Sequence, residues 1–232
     1  MEREFDRLAR NYEKLLDDPV RRYFAPGSGF FVTRKMDVLR AFAARHRMDI
    51  STATWLDVSS GKGDLLREGR PHFGRLLGCD VSAAMMDESR DLDLVPQPEP
   101  NRLPFGDASV DWVTAVCVYH HIGPRDRDRL TADIRRVLKP GGVLALIEHN
   151  PLNPVTRLIV SRTPIDEHAM LLSGKAARRL VADARLDVVD TRYFLFVPQR
   201  LYRWAGALER VLEHVPCGGQ YAVFGRKQRA DS

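Results

Sequence analysis

Trp55-Leu-Asp-Val-Ser-Ser-Gly-Lys-Gly-Asp64 is a short apolar strand that runs into a tight glycine turn able to open a helix. Twenty-three residues after Asp57 a second strand ends in an acid, Leu76-Leu-Gly-Cys-Asp80. Glycine lets a backbone approach a ligand closely, and the N-terminus of the following helix offers N–H groups to it. An acid at the tip of the neighbouring strand can accept two hydrogen bonds from a ribose diol. Together these stretches describe a nucleoside-binding crevice at the carboxyl ends of parallel strands.

Outward from this crevice, strands are expected at 54–58, 75–80, 92–95, 110–118, 142–148, 186–197 and 220–226. Helices are expected at 63–69, 82–90, 126–138 and 173–184. Such alternation implies βαβ units in a doubly wound, mainly parallel α/β sheet of seven strands, its last strand antiparallel. Residues 1–46 read as an N-terminal helical extension. Phe5, Leu8, Tyr12 and Leu15 share one spacing, Pro26-Gly-Ser-Gly29 interrupts, and a second helix runs from Phe31 to His46. The chain reads as one domain over 1–232, with an N-terminal cap (1–46), a core (52–148), an acceptor-side lid (149–172) and an inserted amphipathic helix (198–216).

The 232 residues carry 36 basic and 31 acidic side chains, for a net charge of +5. The basic residues are scattered beside acids, with one cluster at Gly225-Arg-Lys-Gln-Arg229, so no nucleic-acid stripe is present. Three cysteines at unrelated spacings support neither a disulfide framework nor a zinc site, and no metal is expected. The charged N-terminus is unlike a signal peptide and no apolar run reaches membrane-spanning length, which points to a cytoplasmic protein.

Five pieces in order resemble class I S-adenosylmethionine-dependent methyltransferases, in particular the small-molecule branch similar to ubiquinone/menaquinone C-methyltransferases. They are Phe5-Asp-Arg-Leu-Ala-Arg-Asn-Tyr12, the Leu56–Asp64 turn, Gly78-Cys-Asp-Val-Ser-Ala-Ala-Met-Met86, Leu103-Pro-Phe-Gly-Asp-Ala-Ser-Val-Asp111 with Tyr119-His-His-Ile122, and Leu138-Lys-Pro-Gly-Gly142. A dehydrogenase would want Gly-x-Gly-x-x-Gly after the strand, whereas this turn reads Ser59-x-Gly61-x-Gly63. The resemblance implies a Rossmann-like methyltransferase fold, S-adenosyl-L-methionine as cofactor and S-adenosyl-L-homocysteine as product.

Carried over residue by residue, it implies that Asp57, Ser59, Gly61 and Gly63 shape the turn around the methionine part of the cofactor. Asp80 would bind the ribose hydroxyls, and Val81 or Met85 would pack on adenine. Glu99 would meet the adenine amine, the Cys117 carbonyl would accept from the cofactor's amino group, and Tyr12 would close over the site. Ser59 stands where the family has its first glycine, and a serine there is expected to keep a negative φ.

Methyl transfer to oxygen or carbon needs alignment and removal of a proton. The residues placed to help are His120, His121, Glu148 and His149 first, with Asp166 and His168 next. Asn153 and Arg157 are further candidates for orienting polar groups of the acceptor. The acceptor is expected to be small and hydrophobic or lipid-like. A silent member of the fold serving as a binding scaffold, and an RNA methyltransferase, remain as alternatives. Leu201, Trp204, Ala205, Leu208, Val211, Leu212 and Val215 share one helical stripe. That helix can roof the acceptor, touch a membrane through 199–215, pack on the sheet or meet a second subunit. The oligomeric state, the acceptor and the atom methylated are not legible.

Overall fold

The computed structural model describes residues 6, 9, 12–87 and 89–229. Phe5 and Leu8, read as part of an N-terminal helix, lie outside the described residues. Three helices open the described chain, α1 (Tyr12–Leu15), α2 (Pro19–Phe24) and α3 (Ser28–Arg45). Asp18 caps α2, its side chain accepting from the Val20 and Arg21 N–H groups, and Pro19 fits the first turn where no donor is needed.

Seven strands then form one sheet in the order β3-β2-β1-β4-β5-β7-β6. They are β1 (Thr54–Val58), β2 (Arg75–Asp80), β3 (Leu94–Pro96), β4 (Val110–Val116), β5 (Leu138–His149), β6 (Asp187–Phe194) and β7 (Gln220–Arg226). The pairs among β1–β5 are parallel, and β7 runs antiparallel to both β5 and β6. The order reverses between β1 and β4, which makes their carboxyl ends the topological switch point where open α/β sheets bind ligands.

Both faces of the sheet are covered, so the central strands read as continuous apolar runs. Along β5, Leu144 and Leu146 face the layer of α6 (Pro124–Val137) and α8 (Gly174–Asp183). Val143, Ala145 and Ile147 face the opposite layer, where α3 and α4 (Asp64–Gly69) supply Met36, Leu39, Phe42, Leu65 and Leu66. Gly69 is required there, because a Cβ would lie 2.1 Å from the Trp55 ring.

Some boundaries differ from the sequence reading. The helix expected over 82–90 is the single turn α5 (Ala83–Met86), because the Ser89 hydroxyl turns back to the Lys62 carbonyl at 2.5 Å. The expected third strand is shifted to 94–96, and it tolerates Pro96 because it is an edge strand paired only with β2. Lys139-Pro-Gly-Gly142 lies inside β5, where the register to β4 shifts between Val110 and Trp112.

The segment between β6 and β7 forms α9 (Gln199–Leu212), and it docks by its polar-aromatic side. Tyr202 meets Phe30 edge-on at 5.6 Å, and Arg34 lies 4.2 Å over the Tyr202 ring. Glu209, buried, accepts from Arg34 Nη2 and from the Phe196 N–H, each at 2.7 Å. The apolar stripe consequently faces solvent. Breaking a buried ion pair by removing one partner costs about 3 kcal/mol or more. Glu209→Ala is expected to lower stability by about that much and to speed amide exchange selectively in α9. Uniform exchange rates matching wild type would show that α9 is held by other contacts.

Candidate functional site

β1 ends at Val58 and the chain turns through Ser59, Ser60 and Gly61 into α4. Ser59 takes φ +54 and Gly61 φ +53, both left-handed. The expectation of a negative φ at Ser59 is corrected. The turn keeps the conformation a glycine would adopt, and the serine bears a strain of roughly 1 kcal/mol. Gly63 is the N-cap of α4 with φ +75, and a Cβ there would sit 2.2 Å from Leu92 Cδ1. It shapes the turn without lining the cavity.

Asp80 ties the turn to the tip of β2. Its Oδ2 accepts from the Gly61 N–H and its Oδ1 from the Ser82 N–H, both at 2.8 Å. Burial raises its pKa above 3.8, against those backbone donors. Asp57, beneath the turn, accepts from the Thr114 hydroxyl, and burial pushes its pKa up to about 7 despite that bond and the nearby Lys35.

Above these groups lies a cavity with about 1310 Å³ of unfilled space, its open mouth included. Asp57, Ser59, Gly61, Asp80, Val81, Met85, Cys117 and Tyr12, all among the candidates read from the sequence, line it. Glu99 does not. It is exposed, and Pro100 occupies the wall near it. Arg21 and Lys35, from α2 and α3, also line the cavity. Neither carries a local signal in the sequence, since periodicity marks a helix's apolar face but not what its polar residues overhang.

The cavity fits an adenosyl cofactor on three counts. Each Asp80 oxygen uses one lone pair on the backbone and keeps another for a hydroxyl. Space around Gly61 is open, with nothing within 4 Å of a Cβ built there. Ser60 Oγ is buried in the turn without a hydrogen-bond partner among the described residues.

A histidine cluster forms the wall beyond β4 and β5. His120 is buried between two carboxylates, with Nδ1 2.6 Å from Glu148 Oε2 and Nε2 3.2 Å from Asp166 Oδ1. Glu148 Oε1 accepts from the Tyr119 N–H at 2.7 Å. Burial disfavours the His120 charge, but the Glu148 and Asp166 carboxylates outweigh it and hold the pKa well above 6.5. Glu148 and Asp166 are correspondingly held below their ordinary values, burial notwithstanding. His121 and His149 go the other way, down to about 4, through burial and the neighbouring His120 charge.

Of the three histidines only His121 lines the cavity, and its Nε2 lies 3.5 Å from Asp166 Oδ1. His149 Nδ1 sits 3.4 Å from Gln220 Nε2, behind the wall. His168 and Arg157 are exposed, and Asn153 caps α7 (Pro154–Arg162) by accepting from the Thr156 N–H. His120, His121 and Asp166 place ligand atoms within 4.8 Å of one another, a donor set that suits a borderline divalent ion. The same atoms also satisfy one another as an ion-paired cluster.

Residues 56–146 match the family described as methyltransferase domain. The ubiquinone/menaquinone biosynthesis C-methyltransferase of Hahella chejuensis is 31% identical over 121 residues, 44% of this chain and 46% of that protein. The chain thus spans about half the length of the curated relatives it matches. A SAM-dependent methyltransferase of Thermotoga maritima, described as a possible histamine N-methyltransferase, superposes with TM-score 0.73 at 16% identity, covering 98% of this chain and 99% of that one. The [4+2]-cyclase SpnF superposes with TM-score 0.67 at 17% identity, covering 99% and 96%. Residues 56–146 are thus similar to methyltransferase domains, and the seven-stranded sheet around them has the Rossmann-like methyltransferase fold.

Proposed function

We propose that the chain binds S-adenosylmethionine in the Asp57–Asp80 crevice and transfers its methyl group to an oxygen or carbon of a small, hydrophobic or lipid-like acceptor. The observation that carries this reading is the opening of the Asp80–Gly61 turn into the same cavity that His121 lines. The likeness of half the chain to quinone C-methyltransferases supports a phenol- or quinol-like acceptor. When bound, the cofactor supplies an electrophilic methyl group and its own leaving group.

The chain's residues hold, orient and take a proton. Of the residues lining the cavity, Asp80 would hold the ribose hydroxyls, Val81 and Met85 the adenine, Lys35 the cofactor's carboxylate, and Tyr12 would cover the site. His120 is already clamped by Glu148 and Asp166, which leaves His121 as the base. Burial and the His120 charge bring its pKa to about 4, so at pH 7 it is an unprotonated imidazole, free of competing protons though a weak base. Asp166 then steadies the imidazolium that forms.

The test is transfer of label from methyl-labelled cofactor to a panel of hydrophobic phenols, quinols and lipid-linked alcohols, with S-adenosylhomocysteine released. His121→Ala is expected to lower kcat by about 10²–10⁴ while leaving S-adenosylhomocysteine affinity unchanged. The acid limb of wild-type kcat/KM is expected near pH 4, because the base must be deprotonated. An acid limb at 6.5 with an unimpaired variant would remove His121 from the reaction. A second reading, a binding protein on this fold without methyl transfer, is favoured by the strained Ser59 and by the sharing of the fold with a cyclase. Cofactor binding with no product from any acceptor would support it.

A further inference from the structure

The large apolar side chains exposed among the described residues are confined to three segments. Tyr23 stands on α2, four lie between Leu152 and Met170 around α7, and five lie between Leu201 and Val215 on and after α9. These segments adjoin one another. Arg200 of α9 stacks 3.9 Å over the Tyr23 ring, and Arg162 of α7 pairs with Asp18, the cap of α2, at 3.0 Å. On α9, Leu201, Trp204, Leu208 and Val211 recur at spacings of three and four, hence on one face. Trp204 and Val211 are each 76% exposed.

The charge around this surface selects its occupant. Arg200, Arg203 and Arg210 are exposed on α9, and none is ion-paired with an acid among the described residues. The helix has one acid, Glu209, which is buried against Arg34. Arg203 lies 4.5 Å over the Trp204 ring, so cation and indole are presented together. A second copy meeting this helix across a two-fold axis would bring arginines against arginines with no exposed acid of α9 to answer them. A layer of anionic headgroups over acyl chains answers both the cations and the apolar stripe.

We infer that α9, with Tyr23 and the 152–170 segment beside it, seats this protein on an anionic lipid bilayer. The contact is peripheral, since no described helix is long and apolar enough to cross a membrane. The α1–α3 segment that carries Tyr23 outward also lines the cavity through Leu16, Arg21 and Phe31. The lipid-facing surface therefore borders the cavity, and an amphiphilic acceptor can pass from bilayer to site without crossing water. That last step rests on the methyl-transfer reading; the bilayer contact goes beyond it and stands without it.

The test is sedimentation of the full chain, without cofactor, with vesicles of phosphatidylcholine alone or mixed with phosphatidylglycerol. Binding is expected to the mixed vesicles, weakened by salt and accompanied by a blue shift of tryptophan emission. Trp55 and Trp112 are fully buried, so the shift reports on Trp204. W204S/V211S and R203E/R210E are each expected to weaken binding at least tenfold. All four side chains are exposed, and unchanged melting temperatures would verify that the fold is intact. No sedimentation with either vesicle, or equal sedimentation unaffected by the variants, would overturn the inference. So would a dimer in solution that W204S/V211S dissociates, because the surface would then be a self-interface. Titration with S-adenosylhomocysteine in parallel keeps a failure here separate from a failure of the cofactor site.

Discussion

Asp80→Ala is expected to abolish cofactor binding, with the dissociation constant for S-adenosylhomocysteine rising at least about 100-fold in calorimetry. Two effects add. The carboxylate is placed to accept from two ribose hydroxyls, and a hydrogen bond to a charged acceptor contributes about 1.5–3 kcal/mol. Its loss alone amounts to about tenfold or more for each bond. In addition, the Gly61 and Ser82 N–H groups lose the acceptor that holds the turn in shape, each now bonded at 2.8 Å. The left-handed pair Ser59 and Gly61 would then be free to relax. Asp80→Asn keeps the shape and one acceptor oxygen, so it should fall between wild type and alanine. Because burial raises the Asp80 pKa above 3.8, wild-type affinity should weaken as pH falls through that raised value. Wild-type affinity in a folded Asp80→Ala protein would move the cofactor elsewhere and end the crevice reading.

Glu148→Gln is expected to destabilise the fold by about 3 kcal/mol, or roughly 6–12 °C in melting temperature for a chain of this size. Glu148 is wholly buried at the end of β5, and its two oxygens hold His120 Nδ1 and the Tyr119 N–H. The amide preserves the shape but leaves a buried imidazolium with one carboxylate instead of two. The pH dependence of wild type follows from the same cluster. His120, with its pKa raised, adds stability that is complete below 6.5 and lost as pH rises through the raised value. Glu148 and Asp166, with lowered values, add stability present above their ordinary 4.5 and 3.8 and lost as pH falls through the lowered ones. His121 and His149 titrate near 4 in the fold against 6.5 when unfolded. Between those limits the two unfolded histidines bind more protons, so their contribution to stability climbs from pH 4 to 6.5, while Asp57, at about 7 in the fold against 3.8, opposes it over the same interval. A Glu148→Gln protein as stable as wild type would show that the cluster is neutral rather than ionised.

The parts of the site legible in the sequence are those made by neighbours in the chain. The β1 turn, Asp80 at the end of β2, and the strand–helix alternation that implies a parallel sheet are local patterns of polarity and turn chemistry. The antiparallel β7 was expected from its connection, whereas the order of the strands emerged only in the folded sheet. Glu99 was misplaced because a count along the chain cannot say which way a proline-rich loop turns its side chains. Ser59 was misjudged because residue type alone does not fix φ when the glycines and the Asp80 bonds around it hold the turn.

The histidine wall was seen only as separate candidates. His120 meets Glu148 across 28 residues and Asp166 across 46, so the clamp that commits His120 and leaves His121 facing the cavity exists only once β4, β5 and the segment after α7 are side by side. Lys35 and Arg21 are similar, reaching the cavity because two helices fold across the strand ends. For α9, periodicity shows that an apolar stripe exists, and the buried Arg34–Glu209 pair decides that it faces outward. The sequence by itself determined the strands, the turn and the carboxylate that make the crevice, because those depend on backbone geometry and burial within a few residues. Only the tertiary structure decided which histidine lines the cavity and which face of α9 meets the surroundings, because both depend on charges paired across long stretches of chain.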